Sequence, residues 1–530
     1  MKEYDCISYQ KSGFFSKLIV DYLDEKENLK SLYHRSPKIE NFRLQIEEKK
    51  QNFPKEYRAI LVSSLENQYQ KIETSEATKS NIQSLSDENT FTITTGHQLN
   101  LFTGPLYFLY KIVSVINLCK KLKQDYPTYN FVPIYWMATE DHDFEEINHF
   151  NFKGKKISWK KDSSGPVGRL STDGLEAAFE LFEKELGAGN NAAYLKDIFQ
   201  KSYLEHTTLA DATRYLANEL FKAYGLVIVD GDRSELKKIF APFVKKELLE
   251  QTSFHNVNKT NEVLKQYDIQ VNPREINLFY IENDLRERIV FENNEYKINN
   301  TELRFSDEEL LSILEKSPEK FSPNVILRPL YQEVILPNLC YIGGGGEIAY
   351  WLELQSNFEE NKITFPILLL RNSVLLVTQK QLDKVEKLNL SVSDLFTNQQ
   401  VLVNNKTAEY SNLTLDFSAQ KEFLKQQFVA LYEIASQTDK SFIGAVKAQE
   451  VKQIKGLENL EKRLLKAEKR IHIDTLERIL QLQNELFPNQ SLQERKSNFS
   501  EFYLEIGNEL IEKLIEELHP LKNHFSLITL

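Results

Sequence analysis

Four short apolar runs, separated by segments long enough to hold helices, constrain the fold of this chain more than any other feature. Continuous apolar runs of this length are typical of strands buried on both faces of a parallel sheet. Gly104 and Pro105 mark the start of a helix that joins the first two runs, so these residues predict a right-handed βαβ unit and an α/β fold class. The runs are FTITT (91–95), FVPIYWMAT (131–139), LVIVD (226–230) and ITFPILLL (363–370).

Long helices are predicted near the end of the chain. No proline lies between Pro366 and Pro488, and apolar residues there alternate spacings of three and four, the seam of a coiled coil. We expect helices from about 418 to 486, paired with each other or with a second subunit, and a helix packed on its own domain fits the periodicity equally well. The seam residues are Leu457, Leu460, Leu464, Ala467 and Ile471.

Changes of composition predict four parts of the chain. Residues 1–90 form a helical N-terminal extension that packs on the core. The α/β core follows over 91–415, with inserted connecting segments at about 233–322, where Asn293 and Asn294 predict the turn of a hairpin. A helical coiled coil occupies 416–487, and the C-terminal segment, 488–530, returns to the core.

Charge and cysteine content exclude several classes of protein. The chain has 66 Lys+Arg against 77 Asp+Glu, a net charge of -11, which argues against nucleic acid and anionic membrane as partners. Its three cysteines lack a CxxC pair, so neither a disulfide framework nor a zinc motif is predicted. The start of the chain lacks the apolar stretch of a signal peptide, and no apolar run approaches a membrane span. We therefore expect a soluble, cytoplasmic protein.

Polar residues follow each apolar run, which is where ligands bind in open α/β sheets. After the first run, backbone amides at the start of the next helix could hold a phosphate or carboxylate, and His97 adds a donor. A lone histidine is also often a structural hydrogen-bonding residue. The candidate binding residues here are Thr95, Gly96, His97, Gln98, Asn100 and Gly104.

An acidic segment follows the second run. Carboxylates packed this closely repel one another unless a cation lies among them, so they predict amine binding, a general base or a metal site. We favour amine binding and base chemistry, and no metal site is predicted. If the segment opens a helix, His142 and Glu146 lie one turn apart. A solvated helix N-terminus is the structural alternative. The candidates are Glu140, Asp141, His142, Asp143 and Asn148.

The remaining strand ends supply further candidates. The run GGGGE at 343–347 permits close approach of backbone to a ligand, although it matches neither a dinucleotide nor a P-loop fingerprint and could simply form a tight turn. Arg328 and Arg371 are candidates for a carboxylate or phosphate clamp. Convergence of several clusters at strand ends favours a functional interpretation. The other candidates are Asp230, Asp232, Gln332, Gly344, Gly345, Glu347 and Asn372.

Four segments together resemble the BshC family of bacillithiol biosynthesis, whose members are described as cysteine-adding ligases. The resemblance covers most of the chain, and the motifs are specific in combination. The segments are TTGHQLNLFTGPLYFLYKIVSVINL, VPIYWMATEDHDFEEINH, ILRPLYQEVILPNLCYIGGGGEIAYW and FPNQSLQERKSN.

The resemblance implies a Rossmann-like core with insertions, a C-terminal α-helical coiled coil used for dimerisation, and addition of L-cysteine to glucosaminyl-malate to yield bacillithiol. The core is also similar to class I nucleotidyl transferases and aminoacyl-tRNA synthetases, with Gly96 and His97 in the place of their HIGH signature. The chain departs from that pattern because no KMSKS sequence follows the later strands, where Arg371-Asn372-Ser373 stands.

Under this resemblance the candidates acquire roles. His97 and the Gly96 backbone hold the activating phosphate or carboxylate, Asp141, His142 and Asp143 act on the amine, and Arg328 or Arg371 holds malate. His97, Asp141, His142 and Asp143 are the predicted catalytic residues. The cofactor stays open, and ATP or another nucleotide fits the need to activate the cysteine carboxyl.

Two other functions fit the same sequence. One is a coiled-coil scaffold that binds a nucleotide or sugar without catalysis. The other is a nucleotidyl transferase that acts on a different small acid. A scaffold would tolerate substitution of the polar residues at the strand ends, and a nucleotidyl transferase would release pyrophosphate without glucosaminyl-malate.

Overall fold

The structure is a computed structural model and describes residues 6–530. Its strands, in chain order, are β1 (Cys6–Ser8), β2 (Thr90–His97), β3 (Asn130–Met137), β4 (His149–Phe152), β5 (Lys155–Ser158), β6 (Val227–Asp230), β7 (Leu278–Glu282), β8 (Leu285–Glu292), β9 (Glu295–Ile298), β10 (Arg304–Phe305), β11 (Phe321–Pro323), β12 (Asn338–Gly343), β13 (Ile367–Leu370), β14 (Ser373–Val377) and β15 (His524–Thr529).

The helices of the first part of the chain are α1 (Tyr9–Ser12), α2 (Lys17–Leu23), α3 (Asn41–Asn52), α4 (Lys55–Tyr69), α5 (Glu76–Ser84), α6 (Tyr107–Asp125), α7 (Phe144–Ile147), α8 (Leu175–Leu186), α9 (Asn190–Tyr203), α10 (Leu209–Phe221), α11 (Ser234–Glu250) and α12 (Thr252–Val263).

Those of the second part are α13 (Asp307–Lys316), α14 (Leu327–Ile335), α15 (Gly345–Leu352), α16 (Gln355–Glu360), α17 (Gln379–Lys387), α18 (Val392–Leu395), α19 (Gln399–Tyr410), α20 (Ser418–Ser436), α21 (Lys440–Ile471), α22 (Ile473–Leu486), α23 (Phe499–Ile506) and α24 (Glu509–Glu517). None of the helices within 6–530 combines the length and apolarity that crossing a bilayer requires.

A parallel sheet lies at the centre of the larger unit, so the predicted α/β class is confirmed. Its strand order is β13-β12-β2-β3-β6. The predicted βαβ unit is present as β2, α6 and β3, with β2 and β3 parallel from Thr90 opposite Asn130 to His97 opposite Met137. Each of the four apolar runs contributes a strand. The last is shorter than predicted, because β13 begins only at Ile367.

Apolar side chains of the sheet and of two helices form one core. From α3 come Phe42 and Ile46, and from α6 come Val115 and Leu118, all buried against strand residues of β2, β12 and β13. Removing such side chains from water is the main favourable contribution to folding. The packing holds α3 and α6 against the strands that end at the candidate site.

The segment predicted to be inserted contains a separate antiparallel sheet, in the order β10-β9-β8-β7-β11. The predicted hairpin is β8 and β9, and its turn is formed by Asn293 and Asn294, whose φ angles are 55° and 64°. Two successive positive φ angles are characteristic of the type I′ turn, which asparagine tolerates better than most residues.

Residues 377–492 form a second compact unit, made of α17 to α22. The long helices predicted there are present, and α20 and α21 pair with each other through buried Phe428, Ala435 and Val446. The neighbouring helices cover only part of the surface of α21, and part of the predicted seam is not buried. Leu460 is 52% exposed and Ile471 is 70% exposed.

Candidate functional site

The carboxyl edge of the parallel sheet brings together residues from six places in the sequence. Gly96 and His97 end β2, and the helix that follows carries Tyr107 and Lys111. Beside them lie residues from the end of β12, from α14 and α15, and from the turn after β13, because the carboxyl ends of neighbouring parallel strands share one edge. These residues are Arg328, Tyr341, Gly344, Glu347 and Arg371.

Glu347 is the centre of this group. Its carboxylate accepts hydrogen bonds from Lys111 Nζ at 2.6 Å, from the Tyr341 hydroxyl at 2.7 Å and from the Gly344 amide at 2.8 Å. Lys111 Nζ also donates to the Gly96 carbonyl at 2.7 Å. Burial alone would raise the pKa of Glu347, but Lys111 and the hydrogen bonds lower it below its usual value. The carboxylate is therefore charged at neutral pH.

His97 is buried, with 7% of its surface exposed, and its ring packs against Tyr107 and Phe108 at centroid distances of 5.4 and 5.0 Å. Its Nε2 atom has no hydrogen-bond partner within the described part of the chain. Burial, reinforced by the Lys111 charge, lowers the pKa of His97 to about 3. At neutral pH the ring is uncharged, so it can offer a substrate a hydrogen bond but not a positive charge.

The turn after β2 is strained. Phe102 and Thr103 have φ angles of 49° and 68°, in the left-handed region that costs most residues about 1–3 kcal/mol. Gly104 follows with φ 62°, and a Cβ atom there would lie 2.6 Å from Cβ of Asn100. Asn100 and Gly104 thus shape the turn, and α6 begins only at Tyr107, later than the predicted start at Pro105.

The two arginines proposed as clamps have different environments. Arg371 is buried, and its Nη2 donates to Glu494 Oε1 at 2.7 Å, so its charge is already neutralised. Arg328 donates to neutral groups, Gln332 Oε1 at 3.1 Å and the Tyr350 hydroxyl at 3.3 Å, and forms no ion pair with another described residue. Arg328 is half-buried, and an ideal Cβ on Gly96 would lie 3.7 Å from its Nη1, so the glycine leaves the space beside this guanidinium free of a side chain.

Most of the acidic residues are paired with cations from helices. Lys237 Nζ lies 2.6 Å from Glu140 Oε1 and 3.0 Å from Asp232 Oδ1, and Arg169 Nε lies 2.7 Å from Asp232 Oδ2. Burial opposes ionisation of Asp232, yet Lys237 and Arg169 lower its pKa to about 2. Asp230 accepts from Thr139 Oγ1 at 2.5 Å. Glu140, Asp230 and Asp232 therefore join the ends of β3 and β6.

Asp141, His142 and Asp143 lie at the more exposed end of the segment. Gln98 Nε2 donates to Asp141 Oδ2 at 3.0 Å. The Nδ1 atom of His142 lies 2.6 Å from Nη1 of Arg286, an obligate donor, so Nδ1 accepts and the neutral ring carries its proton on Nε2. Burial and the Arg286 charge lower the pKa of His142.

One conditional prediction about this segment fails. His142 and Glu146 do not form a helical pair, because α7 begins at Phe144 and has only four residues. The backbone amide of His142 instead donates a hydrogen bond to Asp141 Oδ1 at 2.8 Å. That hydrogen bond competes with helix formation at the start of the segment.

The remaining candidates make hydrogen bonds inside the protein. Thr95 Oγ1 donates to the Ile342 carbonyl at 2.7 Å, Asn148 Nδ2 donates to Glu145 Oε2 at 3.3 Å, Gln332 Nε2 donates to Glu333 Oε1 at 2.9 Å, and Asn372 Nδ2 donates to the His519 carbonyl at 3.1 Å. Gly345 is the first residue of α15 and packs near Ile19. These contacts support the site without leaving the groups open to a ligand.

Sequence reasoning missed the cations of the site. Lys111 interrupts an otherwise apolar helix, FLYKIVSVI, and a single lysine on a buried face was a usable signal. Lys237 and Arg286 gave no such signal, because a lysine on the helix that follows β6 is ordinarily solvated and Arg286 lies in the inserted antiparallel sheet, distant in sequence from the strands of the parallel sheet. In residues 6–530, His, Cys, Asp and Glu side chains nowhere gather in groups of three that could hold a metal ion.

Comparisons with known proteins identify what the chain is similar to. Residues 2–372 match the family described as "Bacillithiol biosynthesis BshC, N-terminal Rossmann-like domain", and residues 374–530 match "Bacillithiol biosynthesis BshC, C-terminal coiled-coil domain". Relatives in three bacteria share the name "Putative cysteine ligase BshC".

The relatives are similar along nearly their whole length. The protein of Flavobacterium psychrophilum is 65% identical over 525 residues, which is 99% of either chain. That of Flavobacterium johnsoniae is 64% identical over 526 residues, again 99% of either chain. The relative in Cytophaga hutchinsonii is 40% identical over 520 residues, 97% of this chain and 96% of its own.

The buried, neutral state of His97 predicts a pH-dependent difference in stability between the wild type and His97→Gln. The folded-state pKa of His97, about 3, lies below the unfolded value of about 6.5, so unfolding takes up a proton between these pH values and stability falls as pH falls. Glutamine lacks this titration. Between about pH 7.5 and pH 5 we expect the free energy of unfolding of the wild type to fall by about 2 kcal/mol relative to the variant.

Urea unfolding of both proteins at the two pH values measures this difference, and every other titrating group cancels in the comparison. Parallel pH profiles for the two proteins would contradict a buried, neutral His97.

Proposed function

The chain belongs to the BshC family of bacillithiol biosynthesis and is a cysteine ligase, and from that premise we propose that it joins L-cysteine to glucosaminyl-malate through an amide bond. The observation that carries this proposal is the arrangement of Arg328. A half-buried guanidinium that forms no ion pair with another described residue lies beside Gly96, on the edge of the sheet that also presents Asp141.

The two kinds of group match the two ends of glucosaminyl-malate. Malate carries carboxylates, which a guanidinium binds through paired hydrogen bonds. The glucosamine amine has to lose a proton before or as it attacks, and Asp141 and Asp143 are carboxylates that can accept one. Because Arg371 is neutralised by Glu494, we assign malate binding to Arg328.

The two histidines act as neutral groups in this proposal. His97 makes its hydrogen bond to the carboxyl of cysteine or to the group that activates it, next to the Gly96 backbone. His142 presents the proton on Nε2 and holds a substrate oxygen as a donor, so it leaves the role of base to the aspartates.

Amide formation also needs an activated carboxyl. A free carboxylate and an amine do not condense favourably in water, so we propose that ATP or another nucleotide supplies the activation. The cysteine carboxyl would then carry a phosphate-containing leaving group, which the amine of glucosaminyl-malate displaces. The new C–N bond replaces the C–O bond to that group, and the amine proton passes to the base.

Mass spectrometry of the products tests the function directly. The purified protein is incubated with glucosaminyl-malate, L-cysteine and Mg-ATP under reducing conditions, with one reaction lacking ATP. We expect bacillithiol only when ATP is present, together with AMP or ADP, which identifies the route of activation. Pyrophosphate release without glucosaminyl-malate would support a nucleotidyl transferase instead. Substrate binding without any product would support a scaffold.

Replacement of Arg328 tests the assignment of malate. Arg328→Gln removes the charge, and loss of a charge-assisted hydrogen bond costs about 1.5–3 kcal/mol, so we expect KM for glucosaminyl-malate to rise by about 10- to 100-fold while KM for cysteine changes little. Arg328→Lys retains the charge but not the paired donors of the guanidinium, so its KM for glucosaminyl-malate should lie between those of the wild type and Arg328→Gln. Equal effects on both substrates would contradict the assignment.

We further propose that the helical unit joins two copies of the chain. The paired helices α20 and α21 leave Phe423 64% exposed and Leu460 52% exposed beside an open groove of about 770 Å³, which Leu424 and Leu457 also line. Large exposed apolar surfaces on a water-facing helix are unfavourable unless something covers them. A second copy presents the same apolar surface and can cover it symmetrically.

Charged substitutions in the groove test this association. Leu460→Glu places a carboxylate in the proposed interface, so we expect a shift from dimer to monomer in size-exclusion chromatography with light scattering. Lys425→Glu changes the charge of an exposed residue of α20 that does not line the groove, and it should leave the dimer intact. A wild-type monomer, or a dimer in both variants, would contradict the proposal.

A further inference from the structure

The segment Gln493–Asn498 has no role in the function proposed so far, although it belongs to the FPNQSLQERKSN motif. It follows the helical unit and runs along the edge of the core. Gln493 accepts from the Leu376 amide at 2.9 Å and donates to the Leu376 carbonyl at 3.0 Å, so its side chain pairs with β14 as a strand would.

Two buried side chains hold this segment at the candidate site. Glu494, 1% exposed, accepts hydrogen bonds from Arg371 Nη2 at 2.7 Å and from the Val374 amide at 3.1 Å. Asn498, with no exposed surface, donates to the carbonyls of Phe102 at 2.8 Å and Gly104 at 2.6 Å. One end is therefore bound at β14 and the other at the strained turn that follows His97.

Arg495 lies between these anchors and has a different environment. Its side chain is exposed and forms no hydrogen bond or ion pair with another described residue. Its charge nevertheless acts on Tyr107, where it opposes the effect of burial, which raises the pKa of that hydroxyl. The ring centroid of Tyr107 lies 5.4 Å from the ring centroid of His97 and 5.0 Å from Cζ of Arg371.

The neighbouring cation provides a contrast. Lys496 is also exposed, but its charge acts on His149, and its carbonyl accepts from Asn151 Nδ2 at 3.1 Å. Of these two exposed cations, Arg495 is the one whose charge acts on Tyr107, in addition to the charges of Arg371, Glu347 and Glu494. The segment is held by its buried side chains, while the Arg495 guanidinium forms no hydrogen bond or ion pair with another described residue.

We propose that Arg495 is a further binding residue of this site and that it binds an oxyanion of a substrate. A phosphate of the activating nucleotide and a carboxylate of malate share this chemistry. Arg371 cannot serve in the same way because Glu494 neutralises it, and Arg328 is already assigned to a malate carboxylate in the proposed function. The identity of the substrate that supplies the oxyanion rests on the proposed function. The binding of an oxyanion by Arg495 does not depend on it.

Calorimetric titration with two probes tests the inference without turnover. Inorganic tripolyphosphate represents the nucleotide and L-malate represents the sugar substrate, each at up to millimolar concentration. The variants are Arg495→Gln, Arg495→Lys and the matched control Lys496→Gln, all in the full chain. Because Arg495 is exposed and unpaired among the described residues, neither of its substitutions should lower the melting temperature.

We expect Arg495→Gln to bind one of the probes at least about 10-fold more weakly, a change of about 1.4 kcal/mol. Arg495→Lys should retain part of the affinity, and Lys496→Gln should bind as the wild type does. Loss confined to tripolyphosphate assigns Arg495 to the nucleotide, and loss confined to malate assigns it to the sugar substrate.

Three results would overturn the inference. They are wild-type affinity of Arg495→Gln for both probes, an equal loss in Lys496→Gln, and failure of the wild type to bind either probe. The ligase assay has a separate outcome. Absence of bacillithiol with normal probe binding by the wild type and loss in Arg495→Gln would reject the proposed reaction while retaining the oxyanion site.

Discussion

The ion pair between Lys111 and Glu347 is the constraint on which the rest of the site depends. Lys111 belongs to α6 and Glu347 to α15, and Lys111 also binds the Gly96 carbonyl at the end of β2. A buried charge without its partner costs several kcal/mol, so these three elements can move apart only at a large cost in free energy. The pair consequently fixes the backbone beside His97. Burial is the main reason that the pKa of His97 is low, and the Lys111 charge lowers it further while Glu347 opposes this effect.

The neutral histidines determine how the chemistry can be divided along the edge of the sheet. Neither His97 nor His142 is expected to carry a charge at neutral pH, so the positive charge available to an anionic substrate comes from arginine. On the other half of the edge, Lys237 and Arg169 neutralise the buried carboxylates. In the proposed reaction, the more exposed Asp141 and Asp143 are then the groups that accept the amine proton. The proposal thus assigns the two ends of the substrate to separate groups of residues rather than to a single mixed cluster.

The parallel sheet could be predicted from the sequence because four of its strands are continuous apolar runs. The candidate residues at the strand ends could be proposed because ligands of α/β proteins bind at the carboxyl ends of the strands. Sequence reasoning missed β12, whose NLCYIG merges with the glycine run and follows Pro337, so that no isolated apolar run is visible. It also missed the partners of the acidic residues. Lys237 lies on the helix that follows β6, where a lysine is ordinarily solvated, and Arg286 lies on an inserted strand that no local pattern relates to the distant end of β3.

The contacts of the C-terminal segment explain how the core tolerates a long helical unit within its sequence. That unit occupies residues 377–492, and the residues on both sides of it, Leu376 and Gln493, are joined by two hydrogen bonds inside the core. The next residue, Glu494, binds Arg371 and the Val374 amide. Since the residues that flank the helical unit are hydrogen-bonded to each other within the core, the geometry of the strand ends does not depend on the helices of that unit. A substitution on α20 or α21 can therefore test the proposed association of two chains without displacing Arg371 or the turn that Asn498 holds.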